Sequence, residues 1–321
     1  MCAFCNQSII TNAKHKLPDK NTIIGITNEY LKFKGKRKPV QLAFFGGNFL
    51  GLDPEYIVMA LDIAAELKCN NKIDSIRFST RPDTISDKTL DMIKNFPVST
   101  IELGVQSMNN KVLAAALRGH TAESTINATL LLKKYELEIG MQMMVGLPED
   151  TDKSAMETAR KILELTPDFI RIYPLIVLQG SLMAKWYKSG RYEPLSIDEC
   201  VSLVKKIYLL FNDQSIPVIR MGLQASELLQ DNNYMIAGPW HPAFGHLVLS
   251  EIFFDRAKEL IQKNIAMDPD NTTITLKIHP SSESRLRGDK NMNIKALKNI
   301  FTNFDIIIKT DITLNKEFIT A

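Results

Sequence analysis

From about residue 40 onward, short apolar runs alternate with stretches whose apolar positions recur at helical spacing. Residues 40–45 read as a buried strand, and 54–68 as an amphipathic helix with proline in its first turn. The alternation predicts further strands at 73–79, 100–105, 138–145 and 169–174, and another over 216–221. Helices are expected between and after them, at 86–95, 109–117, 122–135, 151–165, 181–189 and 197–212. Strand–helix units repeating about every 30 residues imply right-handed crossovers and a parallel sheet. Such units wind into an open doubly wound sheet or into a barrel. A dinucleotide-binding sheet would usually carry a G-x-G-x-x-G turn after its first strand, and none is present. Polar or glycine chemistry recurs instead at strand C-terminal ends: Gly46-Gly47-Asn48, Ser79-Thr80-Arg81, Gln106-Ser107 and Gly146-Leu147-Pro148. A parallel barrel places its active site at that rim, so a partial or full barrel is the expected fold.

The texture changes after about residue 222. A helix over 240–263, entered through Gly238-Pro239-Trp240-His241-Pro242, is followed by a strand at 273–278, a helix at 294–303 and a strand at 305–309. Two regions follow: a barrel over 1–222 and a small α/β appendage over 223–321. No internal repeat or low-complexity linker separates them.

Composition narrows the class. The chain has 321 residues, 45% apolar and 23% charged, as in ordinary globular proteins. A net charge of +3 is too mild to argue for nucleic acid by itself. The densest basic run, residues 32–38, reads either as a solvated helix end or as a contact for RNA or another anion. No apolar stretch approaches the roughly 18 residues of a membrane span, and the N-terminus lacks a signal-peptide apolar region. With four cysteines, two of them isolated at Cys69 and Cys200, a disulfide framework is not expected and the cytoplasm is the natural compartment.

The remaining pair, Cys2 and Cys5, forms a C-x-x-C around Phe4. Two thiols at this spacing can ligate a metal or cluster, form a redox disulfide, or do nothing. The other motifs are each weak alone. Gly46-Gly47 lets a ligand approach the backbone or simply makes a turn. Arg81 offers a fork for a carboxylate or forms a surface ion pair. Arg118-Gly119-His120-Thr121 brings a second cation one helix later, and methionines such as Met144 are more often core filler than cofactor contacts.

Their order and spacing carry more. C-A-F-C-N-Q at 2–7, F-F-G-G-N-F at 44–49, S-T-R-P-D at 79–83, E-L-G-V-Q-S at 102–107, R-G-H-T at 118–121 and M-V-G-L-P at 144–148 together resemble the radical S-adenosylmethionine (SAM) superfamily. The branch they come closest to contains the radical domain of the elongator catalytic subunit, then the oxygen-independent coproporphyrinogen oxidases. Arg171-Ile172-Tyr173-Pro174 and Gly190-Arg191-Tyr192 continue the match, which covers roughly residues 1–220. The resemblance implies a partial (β/α)6 TIM-like barrel, an oxygen-sensitive 4Fe–4S cluster and bound SAM, with chemistry that the cofactors supply and the protein positions. It also implies anaerobic handling and an electron donor such as flavodoxin or ferredoxin, with tRNA or a small molecule as substrate. By the same resemblance, Cys2 and Cys5 match cluster ligands, Gly46, Gly47 and Asn48 face the methionine amine, and Ser79, Arg81 and Arg118 meet the carboxylate or ribose. Gln106 then serves the ribose region, and the strand ending at Met144 and Gly146 the adenine.

The sequence departs from that pattern at its start. The branch's cluster loop reads C-x-x-x-C-x-x-C, and neither its first cysteine nor the strand before it precedes Cys2. A reading frame that opens upstream, which we favour, and a degraded paralogue that keeps only a nucleoside pocket are the two explanations. Residues 223–321 show no acetyl-coenzyme-binding loop, and no second SAM site is discernible, so the substrate stays open. The segment from Gly238 to His246 reads as a structural turn or as the substrate end of the cavity, through His241 or His246.

Overall fold

The computed structural model describes residues 2–6, 17–33, 39–223 and 234–321. Six parallel strands form one curled sheet in the order β1-β2-β3-β4-β5-β7, the partial barrel expected from the alternation. They are β1 (Gln41–Phe44), β2 (Ser75–Thr80), β3 (Val98–Gln106), β4 (Glu138–Val145), β5 (Phe169–Pro174) and β7 (Val218–Met221). Strand order follows chain order, as in a singly wound barrel rather than a doubly wound sheet.

The connecting helices start where the sequence supplies a cap. Asp53 caps the helix Pro54–Cys69, which has proline in its first turn. Ser86 with Thr89, Thr121 with Ser124, and Thr151 with Ser154 form three reciprocal capping boxes ahead of the helices Asp87–Ile93, Ala122–Lys134 and Asp152–Glu164. The helix expected at 109–117 spans only Asn110–Ala115, because Leu117 is left-handed (φ 53°) and ends it.

Strand periodicity divides the sheet into two faces. Ile76, Phe78, Ile101, Leu103, Val105, Ile139, Met141 and Met143 are buried and form the apolar face. The opposite, concave face carries Gln41, Arg77, Ser79, Glu102, Gly104, Gln106, Gln142, Arg171 and Tyr173, with Arg77 and Ser79 half-buried on alternate positions of β2. The curled sheet therefore encloses polar groups.

Chain contacts group residues 1–196 and 207–240 into one unit, and 197–206 with 241–321 into a second. Residues 234–240 join the first because Val177–Leu178 (β6) pairs antiparallel with Met235–Ala237 (β8). In the second unit, Thr273–Ile278 (β9) is flanked by parallel Asp305–Thr310 (β10) and antiparallel Ile319–Thr320 (β11). Its long helix runs Phe244–Met267, starting and ending later than the sequence suggested, since the Gly238–Pro242 stretch is extended or turned rather than helical. The helix Lys20–Tyr30 and the strands β6, β8 and β11 were not anticipated; strands of two or three residues are too short to show a period. Residues 34–38 of the basic run lie outside the described residues. Among the described residues, no helix is long and apolar enough to cross a membrane.

Candidate functional site

The rim at the C-terminal ends of the strands collects most of the residues singled out above. The cysteine pair is not frayed. Ala3 is buried in an apolar cluster with Val112, Ala116, Met144, Leu147 and Met183. Its N–H donates to Ala116 O (3.0 Å), and its carbonyl accepts from Met183 N–H (2.9 Å). Cys5 N–H donates to Cys2 O (3.1 Å), so the two thiols project from one turn. Asn6 Nδ2 donates to Gln179 O at 2.8 Å and fixes the far end of the segment. Both cysteines are half-buried, and neither is in a disulfide.

Arg118 meets this turn from the opposite side. Its Nη1 donates to Cys2 Sγ (3.1 Å) and its Nη2 to Gly104 O (2.7 Å), while Nε is buried without a partner among the described residues. A Cβ on Gly104 would lie 2.7 Å from Arg118 Nη2, so only glycine admits the guanidinium there. Next along the chain, His120 is buried, and its Nε2 lies 3.2 Å from Val105 O. A carbonyl only accepts, so Nε2 carries the hydrogen. Burial first, and then the Arg118 charge, lower the imidazole pKa to about 4.

Gln106 ends β3 in a left-handed conformation (φ 67°), and its Oε1 accepts from Gln142 Nε2 at 3.1 Å. Gly46 and Gly47 both have positive φ (139° and 107°), and nothing lies within 4 Å of a Cβ built on Gly46. Backbone groups there are open to a ligand. Gly146 is left-handed as well (φ 77°), and its carbonyl accepts from the Tyr192 hydroxyl (2.6 Å). That bond ties the Gly190-Arg191-Tyr192 motif to the β4 end, and Arg191 stacks on Trp186 (4.5 Å to the ring centroid).

Two predicted residues are engaged locally. Asn48 Oδ1 accepts from Thr80 Oγ1 (2.8 Å), Arg81 N–H (3.0 Å) and Thr84 Oγ1 (3.0 Å), clipping the β1 end to the β2 end. Arg81 forms a fork with Asp83, through Nε at 2.8 Å and Nη2 at 2.5 Å. Ser79 shares the concave face with Arg77, opposite Glu102 in the β2–β3 register. Cys69 closes a helix and is exposed; Cys200 is buried, which raises its thiol pKa to about 12. Neither is in a cysteine cluster. His241 Nδ1 accepts from Ala243 N–H (3.1 Å), a local turn contact.

A polar layer below the rim was not singled out in the sequence. Glu102, buried, pairs with Arg77 and with Arg171, whose Nε lies 2.9 Å from Oε2. Arg171 Nη1 donates to the Tyr173 hydroxyl (3.1 Å), and Arg77 Nη1 to Gln41 Oε1 (3.1 Å). The signal was there: charged residues at alternate positions of otherwise apolar strands.

Residues 1–162 match the family model described as Radical SAM superfamily, and residues 167–253 the Radical_SAM C-terminal domain. The chain belongs to the radical SAM superfamily. Similar proteins include the tRNA uridine(34) acetyltransferase of Methanocaldococcus jannaschii, 30% identical over 185 residues that cover 51% of this chain and 34% of the relative. Elongator complex protein 3 of Saccharomyces cerevisiae is 27% identical over 220 residues, covering 59% of this chain and 39% of its own. This radical SAM chain thus spans between about a third and two fifths of the length of these relatives. Among solved structures, the archaeal Methanocaldococcus infernus Elp3 with an N-terminal deletion aligns at a TM-score of 0.57 and 23% identity, covering 76% of this chain and 58% of that one, a likeness of fold.

The superfamily implies SAM and a 4Fe–4S cluster. The open backbone at Gly46, the buried unpartnered Arg118 Nε and the rim amides of Gln106 and Gln142 fit an amino-acid-bearing nucleoside. For the cluster, Cys2 and Cys5 supply two thiols on one turn, and among the described residues no group of three or more His, Cys, Asp or Glu could hold a metal. The described residues fit two of the three ligand positions.

Proposed function

We propose that this protein is a radical SAM enzyme that holds SAM across the rim of its partial barrel, beside a cluster ligated by Cys2, Cys5 and a further ligand. The observation that carries the reading is the convergence on one rim of the Cys2–Cys5 turn, the buried Arg118 on Cys2 Sγ and the positive-φ Gly46-Gly47, in a chain of this superfamily. Cys2, Cys5 and the further ligand would hold the cluster next to Arg118 and the Gly46-Gly47 backbone, and cluster and SAM together would supply the one-electron chemistry for removing a hydrogen atom from substrate.

The protein's own part is positional. Gly46 and Gly47 present backbone to the methionine end, Arg118 adds positive charge next to the thiol, and Gln106 with Gln142 offers amide groups to the ribose. The strand end at Met144 and Gly146 borders the adenine. Arg81 and Asn48 act mainly by holding the β1 and β2 ends together through the bonds they already make. The relatives named for tRNA uridine acetylation support a tRNA nucleoside as the substrate class, and the few, isolated cysteines support the cytoplasm as the compartment.

A second reading follows from the two-thiol set: a nucleoside-binding relative without a stable cluster. Anaerobic reconstitution with iron and sulfide separates the two. The enzyme reading expects about four irons per chain and 5′-deoxyadenosine on reduction with SAM. A folded chain that binds S-adenosylhomocysteine yet retains no iron supports the second reading and overturns the first.

A further inference from the structure

We propose that His120 is a positioning residue for Gln106: its imidazole holds the end of β3 in the turn that presents the Gln106 amide to the ribose of a bound nucleoside. This inference rests on the SAM reading above.

The β3–β4 ladder slips between Gly104 and Gln106. A slip of this kind takes carbonyls out of regular pairing, and buried carbonyls need other donors. The loop 118–120 supplies two in succession. Arg118 donates to Gly104 O and His120 to Val105 O. Val105 O also accepts from Ser107 N–H at 2.9 Å, and the residue between them, Gln106, has φ 67°. A hydrogen bond from residue i+2 back to residue i around a positive-φ centre is a γ-turn of the rare, strained kind for a non-glycine residue. Such a conformation persists only where the surroundings over-determine it. His120 fills the second lone pair of the turn's own carbonyl.

The far side of the turn is pinned independently. Thr158 Oγ1 lies 3.2 Å from Ser107 Oγ and accepts from Met108 N–H (3.1 Å). What remains adjustable is Gln106 itself, and without the turn its amide would leave Gln142. Burial and the neighbouring guanidinium keep His120 neutral at physiological pH, so it donates one hydrogen bond without adding a second cation beside Arg118. His120 directs its single N–H at the carbonyl that defines the turn, while its Nδ1 is buried without a partner among the described residues.

The test uses the full chain and S-adenosylhomocysteine, which carries the ribose, in isothermal titration calorimetry. His120→Leu keeps the bulk and removes the donor; His120→Gln restores a donor near the Nε2 position. We expect His120→Leu to weaken binding about tenfold, His120→Gln to recover most of the loss, and His120→Leu to add nothing in a Gln106→Ala background. Wild-type affinity in His120→Leu, or additive losses in the double variant, overturns the positioning role. If the wild-type chain binds no S-adenosylhomocysteine, the SAM reading fails and the ribose half of the inference with it. Hydrogen exchange at the Ser107 amide reports the turn without ligand: faster exchange in His120→Leu and near-normal exchange in His120→Gln support it. Unchanged exchange in His120→Leu overturns it.

Discussion

The two units of this protein solve the same packing problem differently. The C-terminal unit is a small sheet with an apolar core: Ile274, Leu276 and Ile278 of β9 alternate with exposed or half-buried positions and share a cluster with Phe253, Ala257 and Ile261 of the long helix and with Leu286 and Leu297 of two shorter ones. Among its described residues, Ser250 and Ser282 are the buried polar ones. The barrel unit also has a buried apolar face, but Glu102 and Gln106 on its concave face and Arg118 and His120 on the loop 118–120 are all buried and polar. Burying such groups costs several kcal/mol each unless they are partnered, so a region that keeps them is under a demand other than stability. The contrast separates a region with an almost wholly apolar core from one whose buried polar groups the proposed SAM site would use.

Phe253→Ala should produce the largest loss in the C-terminal unit, about 4 kcal/mol in urea unfolding, because the ring is fully buried in its apolar core. Nucleoside affinity should not change. Loss of binding there would break the comparison, since stability and ligand would then depend on the same residues.

Glu102→Gln should cost the barrel about 3 kcal/mol by leaving Arg77 and Arg171 without their shared carboxylate. Replacing Arg77, Glu102 and Arg171 together by apolar residues of similar volume should restore stability to about the wild-type value. A triple variant as unstable as the single one would show that the layer is structural in its own right.

Acid should act on the barrel through His120. Its folded pKa, about 4, lies below the roughly 6.5 of an unfolded imidazole, so the unfolded chain binds more protons between those values. Stability from this group is therefore intact above about pH 7, and falls as pH drops through 6.5 towards 4, by about 2–3 kcal/mol in total. His120→Leu should remove that slope in urea midpoints measured between pH 7 and pH 4.5. An unchanged slope would place the acid sensitivity elsewhere.

The smallest effect belongs to a helix cap on the loop that follows β4. Thr151→Ala removes one half of a capping box and should cost about 1 kcal/mol, with affinity unchanged.

The strands, the main helices and the rim motifs were legible because they rest on short-range rules. Two-residue periodicity marks a strand, a capping threonine marks a helix start, and glycine after a strand marks a turn. The same rules placed Gly46, Gly47, Gln106 and Gly146 at strand ends, and Arg118 one helix further on. They could not show what Asn48 does, since its three donors lie on the next strand end, more than 30 residues away. Nor could they show that Ala3 anchors the cysteine turn, or that the positive charge of Arg118 lands on the thiol of Cys2, 116 positions earlier.

The sequence by itself determined the alternation, the family and the chemical types available at the rim, because each depends on neighbours along the chain. The tertiary structure decided which of those groups meet. Curling the sheet brought Glu102 within reach of arginines 25 and 69 positions away, and turned the polar side of the strands inward. It also set His120 against the carbonyl of Val105, where the slipped β3–β4 pairing had left an acceptor to fill. Pairing of buried donors with acceptors is a constraint on the folded whole, and no local pattern states it in advance.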